Sequence, residues 1–153
     1  MAMRTYQGAV TVEVPADLVQ SFVTSAAAVG PCLPDILALQ VTAPTTFTAT
    51  VRVGVGPVRG AFDLNAEIFP DADGQGARLT VRGGGLVNGV DIKSRLALTP
   101  VSPASTELVW EADVAISGPL AALGGRLIDG QAAKITAQLF QNIRQTMTGA
   151  SAS

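Results

Sequence analysis

Apolar and polar side chains alternate with a period of two through most of this chain. Phe62, Leu64, Ala66 and Ile68 fall on one side of their segment, and Asp63, Asn65 and Glu67 on the other. That is the period of a half-buried strand. The same pattern predicts strands over Arg4–Val14, Leu37–Thr42, Thr46–Val55, Val58–Phe69, Ala77–Val87, Val90–Leu98 and Thr106–Ile116. Gly54, Gly56 and Gly60 are followed by strand and not by helix, which excludes a phosphate-cradling loop. Asn88-Gly89, between two alternating runs, predicts a type I′ hairpin turn, and Thr99–Ser105 reads as a loop.

Helical spacing appears in two places. Pro15-Ala16-Asp17 opens a short helix with Leu18, Phe22 and Ala26 on one stripe. Gly30-Pro31 and Pro34 confine a second short helix to Ala26–Asp35. From Gly118-Pro119 onward, Leu120, Leu123, Leu127, Ile128, Ile135, Leu139, Ile143 and Met147 line one long C-terminal helix. The expected fold class is α+β. A curved seven-stranded antiparallel sheet carries two short helices and lays one long C-terminal helix over its apolar face. One ligand-binding domain is expected over residues 1–148, with a short disordered tail at 149–153.

Composition narrows the chemistry. Hydrophobic residues make up 48% and charged residues 14%, with a net charge of −2, so there is no basic footprint for nucleic acid. The sequence has no histidine, which excludes Ser–His and Cys–His nucleophile pairs, and Cys32 is its single cysteine. No zinc ligand set is available, and no catalytic residue or metal ligand is assigned. Asp63, Glu67, Asp91, Glu111, Asp113, Arg59 and Arg95 fall on the polar side of their strands and are expected to face out. No apolar run is long enough to span a membrane, and the first residues do not read as a secretion signal. A cytoplasmic protein is expected.

Five Phe, one Tyr and one Trp stand against sixteen Gly. Small residues also take inward positions: Ala49, Ala66, Ala112, Gly60, Gly83 and Gly85. Natural interiors fill to about three quarters of their volume. A trough lined this lightly is expected to keep an apolar cavity for a lipophilic ligand, although the same glycines also suit bulges in a filled core. The candidate lining is Phe47, Val51, Phe62, Leu64, Leu79, Val81, Ile92, Leu96, Trp110, Val114, Leu123, Leu127 and Leu139. Trp110 adds an N–H that could meet a ligand carbonyl. Gly124, Gly125 and Gly130 would each cost about 1 kcal/mol inside a helix. They point to a close helix–sheet approach or to a mobile gate.

Three blocks carry a family resemblance: Val53 to Phe62 (VGVGPVRGAF), Gly83-Gly84-Gly85 with Val87-Asn88-Gly89, and Gly118 to Ile128 (GPLAALGGRLI). With the order of elements, they resemble the helix-grip fold of the START-like and Bet v 1-like (SRPBCC) superfamily. Within it, the chain resembles the G-subunit family of carbon monoxide dehydrogenase over nearly its whole length. Phe22 stands where that family usually has tryptophan, and Asp35 replaces the glycine of its Cys-Ile-Pro-Gly run. The chain also ends without the long extension many members carry, which puts anchoring by a tail in doubt.

The resemblance implies an accessory protein for a molybdenum hydroxylase of the aerobic carbon monoxide dehydrogenase type. It would bind a quinone-like or isoprenoid molecule without any metal-held or covalent cofactor. It would help recruit the enzyme to the membrane or an electron acceptor, or assist assembly, with peripheral contact at the inner membrane face. Two alternatives remain open: an enzyme such as the superfamily's cyclases and dehydratases, and a pure protein–protein docking module. Cys32, between prolines, suits either a partner contact or a small buried thiol.

Overall fold

The computed structural model describes residues 2–85 and 87–149 in full and the backbone of residues 150–152. Alternation becomes seven strands: β1 (Ala2–Val12), β2 (Ile36–Ala43), β3 (Thr46–Val55), β4 (Val58–Pro70), β5 (Gly76–Gly85), β6 (Asn88–Ser102) and β7 (Ser105–Ser117). They form one antiparallel sheet in the order β1-β7-β6-β5-β4-β3-β2. Three α-helices, α1 (Ala16–Val23), α2 (Ala26–Val29) and α3 (Gly125–Ala152), complete the expected α+β helix-grip architecture. The expected tail at 149–153 overlaps the last turn of α3, and Ser153 lies outside the described residues.

Register places the inward residues in rows across the sheet. One row runs Phe47–Ala66–Val81–Ile92–Val114–Arg4, and another runs Ala77–Leu96–Trp110–Gly8. Three apolar clusters form on this face. Val12, Val14, Val19, Val23, Leu98 and Leu108 pack under α1. Val55, Val58, Phe62, Ile116, Leu120 and Ile128 pack at the start of α3. Phe47, Ala49, Ala66 and Ala26 pack under α2.

Several local expectations are corrected. In α1 the buried residues are Val19 and Val23, while Leu18 is exposed. The second helix is split into α2 and a 3-10 turn over Gly30–Cys32. The loop expected at Thr99–Ser105 is largely strand, because β6 and β7 pair as far as Ser102 opposite Ser105. Nor are Asn88-Gly89 the hairpin turn: they already pair with Gly85 and Gly84. Leu86, part of the expected strand 77–87, lies outside the described residues. Asn88 is diverted from the turn because its side chain is used elsewhere. Its amide donates to the Gly85 carbonyl, and its Oδ1 accepts the Leu120 N–H at 2.6 Å. Val87 then takes the left-handed conformation (φ 60°), which is strained for a β-branched residue.

The long helix does not begin at Gly118. A 3-10 turn covers Pro119–Ala122, the chain breaks at Leu123-Gly124, and α3 starts at Gly125. Gly124 caps α3 by accepting from the Leu127 and Ile128 N–H groups. Only Gly130 of the three glycines therefore sits inside the helix. At Gly83 and Gly85 an added Cβ would lie 2.1 Å and 2.3 Å from carbonyl oxygens of β4, so those glycines serve close backbone approach.

Candidate functional site

Beneath α3 the face of the sheet is only partly covered. Ile92 sits between Val81 and Val114 in its row, yet it is half-buried and belongs to none of the three clusters. Leu139 on α3 behaves the same way. Around them Leu79 and Val81, packed against the cluster under α2, Leu96, packed against the cluster under α1, and Trp110 are also half-buried. Apolar side chains on an inner strand keep accessible surface only where nothing fills the space above them.

The remaining lining candidates fall in three environments. Phe47 and Phe62 are buried in the clusters near the β3 side of the sheet. Val51, Leu64, Val114 and Leu123 are half-buried against the cluster at the start of α3. Leu127 is 45% exposed, and its Cδ2 lies over Gly56 at the β3–β4 turn, so it does not face the interior. Ile135 is likewise exposed. The inner face of α3 carries Ile128, Asp129, Ala132, Thr136, Leu139, Phe140, Ile143 and Met147.

A polar cluster closes one corner of this face. Arg4 and Tyr6, both inward on β1, meet Asp129 of α3. The Arg4 Nε donates to Asp129 Oδ1 at 2.9 Å, its Nη2 donates to Oδ2, and the Tyr6 hydroxyl donates to Oδ1 at 2.8 Å. The Arg4 guanidinium, and then the Tyr6 hydroxyl, hold the Asp129 carboxyl below the usual carboxylate range. Burial, and then the bond to Asp129, push the Tyr6 phenol up, so it stays protonated at neutral pH. Gly125 leaves the room that the guanidinium occupies: an added Cβ would lie 3.1 Å from Arg4 Nη1. None of these three residues is among the candidates that the sequence pattern singles out. The alternation of β1 puts Arg4 and Tyr6 on the same side as Gly8 and Val10, and that is the usable signal. The stripe Gly125, Asp129, Ala132, Thr136, Phe140 places Asp129 in the same way.

Between β1 and α3 runs a groove of about 730 Å³, with Trp110 and Phe140 among its lining side chains. Their ring centroids are 6.0 Å apart. The indole lies against Gly8, where an added Cβ would stand 2.9 Å from Trp110 Cζ2. A smaller depression of about 420 Å³, lined in part by Glu67, Arg82, Asp91 and Lys93, involves the polar face of the sheet. Of its carboxylates, Asp91 pairs with Arg82 at 3.5 Å; outside the depression, Asp63 accepts from Thr50. Cys32 is buried, with Sγ 3.4 Å from the Ala28 carbonyl, and burial raises its thiol pKa. Among the described residues no group of three or more His, Cys, Asp or Glu is placed to hold a metal ion. No described helix is long and apolar enough to cross a membrane.

This sheet, gripped by one long terminal helix, is shared with solved structures. A conserved protein from Geobacillus kaustophilus superposes with a TM-score of 0.86 at 20% identity, covering 96% of this chain and 97% of that one. A START superfamily protein from Mycobacterium smegmatis gives 0.73 at 17%, covering 95% and 98%. Norcoclaurine synthase from Thalictrum flavum gives 0.67 at 11%, covering 96% and 87%. At these identities the likeness defines the fold, and the fold is START-like. No curated protein matches the chain significantly. The sequence profile of CoxG, the G subunit of carbon monoxide dehydrogenase, matches residues 8–148, and the chain belongs to that family.

Proposed function

We propose that this chain is a non-catalytic accessory protein that holds a lipophilic small molecule, quinone-like or isoprenoid, between its sheet and α3. The observation that carries the reading is the half-buried, unclustered Ile92 at the middle of the covered face. It is supported by the half-buried Leu79, Val81, Leu96 and Leu139 around it and by the START-like fold, whose grip on one helix suits an apolar guest. The family's name links it to carbon monoxide dehydrogenase. The partner in this reading is therefore a molybdenum hydroxylase of that type, which the protein would help reach a membrane or electron acceptor, or help assemble. The break at Leu123-Gly124 would let the start of the roof move while the guest enters.

The test is titration of the purified full chain with ubiquinone-1 while following Trp110 emission, the single tryptophan. Saturable quenching that Ile92→Asp weakens tenfold or more is expected, together with a bound lipid in native mass spectra. Unsaturable quenching with unloaded spectra would sink the reading. A catalytic reading has one observation in its favour, the Arg4–Tyr6–Asp129 cluster beside the apolar face, since a fold neighbour is named a synthase. In that case Tyr6→Phe would abolish turnover of a carbonyl substrate while leaving its binding intact.

A further inference from the structure

The two free edges of the sheet are built differently. β2 spans Ile36–Ala43, shifts register at Ile36/Ala38 and at Val41/Ala43, and has Pro34 and Pro44 just outside it. Bulges and prolines keep an edge from pairing with another chain. β1 is 11 residues long, contains no proline or lysine, and pairs with β7 without a shift. Among the described residues no strand lies beyond it. Along a strand, the N–H and C=O of alternate residues point to opposite edges. Arg144 reaches across from α3 and its Nη2 donates to the Thr11 carbonyl at 3.1 Å. Thr11 therefore faces the free edge, and so do Ala9 and Gln7 by the same period. The side chains of Gln7 and Ala9 belong to the outer face, yet both residues line the groove against α3.

We propose that this groove receives an extended, acidic peptide segment of a partner protein, which adds to the sheet as an eighth strand beside Gln7–Thr11. The free N–H and C=O groups of Gln7 and Ala9 are spaced for the main chain of an extended peptide. Trp110 and Phe140 give the groove an apolar floor for every second side chain of the guest. Arg144 is the one charged residue among the described residues of the lining, and it sits at the Thr11 end. A carboxylate of the peptide meets it there, either from a side chain or from a C-terminus. The Arg4–Tyr6–Asp129 cluster closes the other end of the groove by tying β1 to α3. The main-chain bonds of this reading come from the edge, and its floor shares Trp110 with the face beneath α3.

The experiment is selection of a randomised heptapeptide phage library on the full chain, with Ala9→Pro as the counter-target. Proline at an outward-facing edge N–H removes no ladder bond and is tolerated there. The enriched peptides are expected to carry an acidic residue and alternating apolar residues, and to bind Ala9→Pro at least tenfold more weakly. Their binding should also slow amide exchange at Gln7 and Ala9, and Arg144→Gln should weaken the acidic peptides selectively. Ala137→Glu, on the exposed wall of α3, gives the same loss and serves if Ala9→Pro does not fold. Failure to enrich any sequence over the variants, or equal binding to all of them, overturns the proposal. A dimer of this chain that Ala9→Pro dissolves would assign the edge to a second copy and overturn it equally.

Discussion

The sheet is packed tightly under α1 and loosely under the middle of α3, although both regions use aliphatic side chains on the same face. Under α1, Val19 and Leu108 are fully buried and Val12 is 2% exposed. Under α3, Ile92 and Leu139 keep accessible surface. The difference lies in what faces the strands. α1 presses Val19 and Val23 down onto β6 and β7. α3 presents Ala132 and Thr136 along its middle, and its first turns are held to β1 through a polar contact. The flank is closed by buried aliphatic side chains, and the centre keeps accessible apolar surface.

The largest effect should separate the two regions directly. Leu108→Ala should cost about 3 kcal/mol, as fully buried leucines do. Ile92→Ala should cost about 1 kcal/mol, because part of that side chain is already accessible. Urea midpoints at constant m-value measure both, and equal losses would mean that the centre is as filled as the flank. Gly8→Ala comes next. The new methyl must push the Trp110 ring, at a cost of about 1 kcal/mol, and a shift in tryptophan emission should accompany it. An unchanged spectrum would show that the indole does not rest on Gly8.

Gly130→Ala tests the roof. Nothing lies within 4 Å of the added methyl, so the helix should gain about 0.5–1 kcal/mol from propensity alone. A loss would mean that α3 sits down on its neighbours there. The smallest effect is at the rim. Asp129 is held below its usual range, so its contribution is present above the unfolded carboxyl pKa of about 3.9 and is lost as pH falls through the lower folded value. Asp129→Asn should therefore be less stable than the parent near pH 7, with the gap closing below about pH 4. A gap that is constant with pH would remove the ion pair as its cause.

Much of this is legible in the sequence, and the reason is periodicity. Thr46–Val55 is bounded as the alternation predicts, and the seven strands follow in the expected order. Periodicity fails where an element is short or interrupted. Two turns of α1 cannot distinguish Leu18 from Val19 as the buried position. The apolar stripe of the last helix runs on across the break at Leu123-Gly124, so its phase points to Leu127 and Ile135, both exposed. Asn88 looks like a turn residue because it precedes Gly89, and its bond to the Leu120 N–H, which spans the fold, leaves no local signal. Arg4 and Asp129 lie 125 positions apart, and no local pattern joins them.

One pairing in this sheet stands apart from the others. β2 to β7 each lie beside the strand that precedes or follows them in the chain, so they can zip up hairpin by hairpin. β1 instead sits against β7, with Ala2 opposite Ile116. Joining the two ends of so long a loop carries a chain-entropy penalty that no short-range contact offsets beforehand. The first strand of this sheet to be synthesised is thus the last able to dock. Until β7 has been synthesised it must wait unpaired, and this window is when the nascent chain is most open to aggregation and most in need of a chaperone.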